Sequence, residues 1–258
     1  MAEDFPVEDG MDIGEGSHGA DYRALRYGMR IDRFNQAGVR RFAAAPDWGL
    51  IRKLALIVIV SFIPLAAHAA PITVLAFGDS LFAGYGVQDA DNIPTQLEKA
   101  LQADGKDVRV VNAAISGDTT ADGVARVDWS LSDKPDLVLL ELGANDALRG
   151  LDPERAKANL DAILAKLKAK NIPVVLFGMI APRNLGPAYG EQFDPMYKEL
   201  AAKYDIPLYS FILDGVALDP KLNQADGMHP NKDGVQVIVK RILPVVEKAL
   251  PGSPTPTQ

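Results

Sequence analysis

The sequence predicts a three-layer α/β domain in which a parallel sheet carries helices on both faces. Two observations lead there. After residue 70, short apolar runs alternate with amphipathic stretches, the chain order of strand–helix–strand units. Several of those runs are continuous in Val, Leu and Ile rather than alternating apolar with polar, as strands are when both faces of the sheet are covered.

Five strands are expected, at Ile72–Phe77, Val108–Asn112, Leu137–Leu142, Val174–Gly178 and Leu208–Phe211. Helices are expected between and after them. The first is Pro94–Ala103. The second is Pro153–Lys170, with Asp152 as N-cap and Pro153 in the first turn, where its missing N–H is no loss. Its apolar face is Ala156, Leu160, Ile163 and Leu167. The third, Phe193–Tyr204, buries Phe193, Met196 or Tyr197, and Leu200. The last runs from about Asn231 to Leu250, with Val235, Ile238, Ile242, Val245 and Ala249 at helical spacing, and Pro244 predicts a kink in it. The domain therefore spans 70–250, and 251–258 is a flexible tail. No internal repeat is visible.

The residues before this domain divide in two. Residues 50–69, LIRKLALIVIVSFIPLAAHA, place Arg52 and Lys53 before an apolar stretch and end on Ala67-His68-Ala69. That is the layout of a secretory signal peptide. A transmembrane anchor is the alternative, but Pro64 interrupts a run of about 12–14 apolar residues, short of the roughly 20 that cross a bilayer. Cleavage after about Ala69 and a periplasmic or secreted product without a stable membrane anchor are expected. Residues 1–49, acidic and Gly-rich and then Arg-rich, fit neither role. They are expected to be disordered or absent, with translation starting between Val39 and Ile51. Arg40-Arg41 is poorly spaced from the apolar run for twin-arginine export. N-terminal sequencing of the native preprotein decides this; Ala2 at its start contradicts the later start.

Composition excludes several function classes. A net charge of −7 without a long basic run argues against a nucleic-acid partner. The chain has no cysteine, so disulfides, thiolate metal sites, a cysteine nucleophile and a lipidated cysteine are all excluded. Its three histidines are His18, His68 and His229. The first two precede the domain, so the mature chain keeps one imidazole, too few for a multi-histidine metal site.

In parallel α/β sheets, ligands collect beyond the carboxyl ends of the strands. Three polar segments fall at that edge: Gly78-Asp79-Ser80, Ile115-Ser116-Gly117-Asp118 and Gly143-Ala144-Asn145-Asp146. Each alone reads as well as a turn or a helix cap. The segment ADGMHPNKDG makes the difference. Asp226, three residues before His229, is spaced to accept a hydrogen bond from the imidazole Nδ1–H, leaving Nε2 free as a base. A surface or capping histidine is the alternative. A serine hydroxyl is unreactive until a base takes its proton, so Ser80 needs His229, in the chain order Ser80, Asp226, His229. The G-x-S-x-G elbow is absent, since Phe82 stands two residues after Ser80. The Ser80 amide, the Gly117 amide and the Asn145 side-chain NH2 are candidate donors to a developing oxyanion.

Gly78-Asp79-Ser80-Leu81, Gly117 in NAAISGDTT, Gly143-Ala144-Asn145-Asp146, and Asp226-Gly227-Met228-His229-Pro230 together resemble the four blocks of the SGNH, or GDSL, hydrolases. The likeness covers residues 71–250 and is nearest the small periplasmic bacterial members with thioesterase, arylesterase and lysophospholipase activity. It implies a flavodoxin-like sheet of order 2-1-3-4-5. It also implies Ser80 as nucleophile, His229 as base oriented by Asp226, and Ser80, Gly117 and Asn145 as the oxyanion hole. The loop from Met179 to Phe193 then corresponds to one that helps cover the acyl chain, a plain connector being the alternative.

The expected protein is a monomeric, cofactor-independent serine hydrolase of small acyl esters or thioesters. A carbohydrate O-acetylesterase and a periplasmic small-ligand binding module without turnover are the alternatives. Because protonated His229 cannot act as base, hydrolysis is expected to fall on acidification, in the range where an ordinary imidazole titrates, about pH 6.5. A pH–rate profile that stays flat down to about pH 4 contradicts a histidine base.

Overall fold

The structure, a computed structural model, describes residues 70–253. The expected leader (1–49), the signal peptide (50–69) and residues 254–258 of the expected tail lie outside the described residues. Strands β1 (Ile72–Phe77), β2 (Val108–Asn112), β3 (Leu137–Glu141), β4 (Val174–Phe177) and β5 (Leu208–Tyr209) pair in parallel in the spatial order β2-β1-β3-β4-β5. The sheet order is the expected one. Every residue of the central β3 and of β4 is buried, while the edge strand β2 exposes Arg109 and Asn112. Thus the continuous apolar runs mark the strands covered on both faces. Three strands end one or two residues earlier than the sequence suggests. Leu142, Gly178 and Ser210-Phe211 belong to the loops that leave the sheet at its carboxyl edge.

The described residues also form eight α-helices, besides short 3-10 turns: α1 (Ser80–Ala83), α2 (Ile93–Ala103), α3 (Thr120–Ser130), α4 (Ala144–Leu148), α5 (Pro153–Ala169), α6 (Pro187–Phe193), α7 (Met196–Tyr204) and α8 (Lys232–Ala249). Helices α2 and α8 pack together as one layer; α3 packs on α5, and α5 on α7, as the other. Asp152 caps α5 as expected, accepting from the Glu154 N–H at 3.0 Å, and Ala156, Leu160, Ile163 and Leu167 are all buried.

Three expectations are corrected. The helix expected at Phe193–Tyr204 is two helices. Pro195 has no N–H to continue the ladder, and the Asp194 side chain turns back to accept from the Ala181 N–H at 2.8 Å. In α8 the buried stripe is Val235, Ile238, Val239, Ile242 and Val246, whereas Val245 and Ala249 are only half-buried. The stripe follows the i, i+3, i+4, i+7 face more closely than the expected spacing did. The helix runs to Ala249 with Pro244 inside it. Finally, α3 was not expected. Its apolar residues are few, and Gly123, Arg126 and Asp128 obscure the periodicity. Its signature was Thr119-x-x-Asp122, a capping box in which each side chain bonds the other residue's backbone N–H.

Candidate active site

Because the strands are parallel, the loops after β1, β2 and β3 leave the sheet at one edge, where the loop before α8 meets them. The chain passes from β1 through Gly78 and Asp79 directly into α1. Asp79 is fully buried and is the N-cap of that helix, its Oδ1 accepting from the Leu81 N–H at 3.1 Å. Ser80 is thereby the first helical residue. Gly78 is required for space: a Cβ there would stand 2.7 Å from both the backbone oxygen and Oε2 of Glu141 on β3.

Asp226 and His229 sit on a loop closed by an antiparallel bridge between Asn223 and Pro230. Asp226 Oδ1 accepts from the N–H groups of Met228 (2.9 Å) and His229 (3.0 Å), and Oδ2 faces His229 Nδ1 at 2.7 Å. The other ring nitrogen, Nε2, lies 2.8 Å from Ser80 Oγ. A carboxylate only accepts, so Nδ1 carries the ring proton and Nε2 accepts from the Ser80 hydroxyl. The hydrogen bond from His229, then the two backbone N–H groups, hold the Asp226 carboxyl down at about 2. Asp226 therefore stays ionised across the whole range in which an imidazole changes charge, and loss of its charge cannot account for acid inactivation at moderate pH.

Gly117 adopts φ +91°, which an L side chain resists. Neither its N–H nor that of Ser80 meets an acceptor among the described residues. Asn145, by contrast, is engaged. Its Nδ2 donates to Asp79 Oδ2 at 3.1 Å and to the Asp118 carbonyl at 2.9 Å. The neighbouring Asp146 faces elsewhere, accepting from the N–H and hydroxyl of Thr120 at 2.8 and 2.7 Å and so anchoring the start of α3.

Sequence reasoning missed the side chains that tie these segments together. Arg126 on α3 donates to Asp118 (2.5 Å), to the Ala113 carbonyl (2.6 Å) and to the Gly78 carbonyl (2.9 Å), and lies 3.9 Å over the Phe77 ring. One guanidinium thus joins the ends of β1 and β2 to the loop bearing Gly117. Glu141 is fully buried behind Asp79; its Oε2 accepts from the Asp79 N–H at 3.2 Å and its Oε1 has no partner among the described residues. An ionised carboxylate there would be neither solvated nor paired, so burial and the adjoining Asp79 charge push Glu141 well above the usual range. Burial likewise pushes Asp79 up to about 6. Its hydrogen bonds from Leu81 and Asn145 and the nearby His229 oppose that rise. The one sequence signal for Glu141 was its being the single charged residue in the apolar run Leu137–Leu142.

Ser80, Asn145 and His229 open onto a cavity of about 340 Å³ whose other walls include Leu81, Ala147, Met179, Pro182 and Leu213. Large apolar side chains stand at its mouth: Leu148 is 52% exposed, Ile180 38%, Met228 47% and Leu218 92%. Met179, Ile180 and Pro182 come from the loop after β4. A wider depression of about 850 Å³, lined by Arg183, Glu191, Asp194 and Lys198 among others, contains none of Ser80, Asp226 or His229. Among the described residues, no group of three or more His, Asp or Glu side chains is arranged to hold a metal ion.

Residues 76–237 match the model of the GDSL-like Lipase/Acylhydrolase family. Esterase TesA of Pseudomonas aeruginosa is 38% identical over 201 residues, covering 78% of this chain and 100% of that one. The thioesterase 1/protease 1/lysophospholipase L1 of Escherichia coli K12 is 40% identical over 183 residues, 69% of this chain and 86% of that one. Among solved structures, TesA superposes with a TM-score of 0.66 at 39% identity, over 69% of this chain and 99% of that one. The SGNH-hydrolase family esterase AlinE4 superposes with a TM-score of 0.60 at 47% identity, over 71% and 99%.

The buried carboxyl pair makes stability depend on pH in a defined direction. A carboxyl whose folded pKa is raised contributes stability that is complete below its unfolded pKa, about 4.3 for Glu. That contribution is lost as pH rises through the folded value. Glu141→Gln mimics the protonated form and removes this dependence. The melting temperature of Glu141→Gln minus that of the native chain should therefore be small near pH 4 and increase toward pH 8. A difference that stays constant across that range contradicts a neutral buried Glu141.

Proposed function

Since the chain belongs to the GDSL-like lipase/acylhydrolase family, and is a hydrolase of ester bonds, we propose that it works as an exported esterase and thioesterase of the lysophospholipase type, with Ser80, His229 and Asp226 as its catalytic residues. The observation that carries this is the continuous chain of contacts from Ser80 Oγ through the imidazole to Asp226, at 2.8 and 2.7 Å. In this reading His229 Nε2 takes the hydroxyl proton as Oγ attacks the acyl carbonyl. The vacant N–H groups of Ser80 and Gly117 receive the developing oxyanion. Asn145 joins them by releasing Asp79 or the Asp118 carbonyl, and Asp226 holds the imidazolium that forms. His229 then returns the proton to the departing alcohol or thiol, and water discharges the acyl-enzyme by the same steps. Nothing in this sequence of steps calls on a cofactor. Export rests on residues 50–69, and action as a soluble monomer is part of the same reading.

The cavity beside Ser80 supports an aliphatic acyl group in preference to acetate. Each methylene buried against an apolar wall contributes about 0.8 kcal/mol, about fourfold in kcat/KM if the contact persists in the transition state. Leu218, held at φ 67° and lining the cavity mouth, extends that wall outward. A carbohydrate O-acetylesterase has no use for such a pocket, and a binding module has no use for an oriented base.

Ser80→Ala should abolish hydrolysis while leaving the melting temperature close to that of the native chain, and a fluorophosphonate should label the native chain at Ser80. Retained activity, or an unlabelled Ser80, removes that residue from its role. Across p-nitrophenyl esters from acetate to palmitate, kcat/KM should rise from acetate into the medium chain lengths; a maximum at acetate contradicts the assignment of the pocket.

A further inference from the structure

Two loops meet at the Ser80–His229 contact, and the side chain of Gln224 joins them. Its backbone N–H donates to the His229 carbonyl at 2.8 Å. Its Nε2 donates to the Pro230 carbonyl at 2.9 Å and, across the active-site edge, to the Tyr85 carbonyl at 2.7 Å. Both partners are carbonyl oxygens, which only accept, so they select the NH2 end of the amide for this place. Tyr85 in turn donates its N–H to the Ser80 carbonyl at 3.1 Å. Its ring packs against the His229 imidazole, with centroids 4.6 Å apart. The seat is shaped for this side chain. A Cβ on Gly86 would lie 2.0 Å from Gln224 Oε1, so the bare backbone of Gly86 is what admits it.

Building on the roles assigned to Ser80 and His229 above, we propose that Gln224 is a positioning residue for acyl transfer. By bonding the Tyr85 and Pro230 carbonyls it locks the turn of the nucleophile to the loop of the base, and so holds Ser80 Oγ and His229 Nε2 at reacting distance. It does not line the acyl cavity. Its removal therefore affects the alignment of the reacting pair and leaves the binding of the acyl chain alone.

Gln224→Met keeps the length of the side chain and removes both donors; Gln224→Glu keeps its shape and sets a carboxylate against two carbonyls. With a p-nitrophenyl ester and the full chain, both should lose about 10- to 100-fold in kcat, the scale of a misplacement of about 1 Å, with KM changed by less than about twofold. Fluorophosphonate labelling of Ser80 should slow in proportion yet still reach one label per chain. A purely structural defect would instead lower that end-point. Gly86→Ala enters the same seat from the opposite side, and the part of its penalty that comes from meeting Gln224 should vanish in a Gln224→Ala background; the backbone strain of alanine at φ +73° remains in both backgrounds and cancels in the cycle. Native kcat in Gln224→Met, or additive effects of the Gly86 and Gln224 changes, overturns the inference. If Gln224→Met does not fold, Gln224→Glu and the cycle decide. Absence of labelling in the native chain would strike the reading of Ser80 itself, a different result from either.

Discussion

One hydrogen bond, from Ser80 Oγ to His229 Nε2, joins residues 149 positions apart, and the rest of the molecule can be understood as what keeps it at 2.8 Å. Neither partner has much reactivity alone. The hydroxyl needs a base, and the imidazole needs a fixed tautomer and direction. Direction is supplied locally for the histidine, because Asp226 binds both the ring and the backbone N–H of the same residue. For the serine it is supplied by an N-cap, because Asp79 sets the first turn of α1 and with it the place of Ser80.

Beneath these groups lies a largely buried polar layer. Asp79, Glu141 and Asp146 are buried, and Arg126 and Asp118 nearly so. In such a setting each hydrogen bond is electrostatically stronger and each missing one more damaging. The layer is nearly closed: Asn145 is shared between Asp79 and Asp118, Arg126 between three segments, and Asp146 bonds the start of α3 twice. Glu141 is the exception, with one oxygen unpaired, and a retained proton spares it from carrying charge there. The segments that carry Ser80, Gly117 and Asn145 are therefore held in place by this layer.

How much of this was legible varied with the range of the interaction. Gly78-Asp79-Ser80 was readable as a strand end that presents a hydroxyl, and the Asp226–His229 spacing as a local pair, since three residues suffice to define each. Helix α5 was readable from Asp152, Pro153 and a regular apolar face. Helix α3 was not, because Gly123 packs where a larger side chain would meet Leu142 and Ile163, and the apolar signal is correspondingly thin. Pro195 announced its break, but the apolar spacing from Phe193 to Leu200 masked it.

By itself the sequence determined the layered α/β class, the chemical types gathered at the carboxyl edge, and the pairing of Asp226 with His229. These follow from backbone propensity, hydrophobic burial and contacts within a few residues. Only the tertiary structure decided that Asn145 faces Asp79 and Asp118, that Arg126 ties the ends of β1 and β2 to the Gly117 loop, that Glu141 lies buried behind Asp79, and that Gln224 reaches Tyr85. Those relations depend on strand order and on the few ångströms between loops. No local pattern encodes such distances, because each is set by packing that involves the whole domain at once.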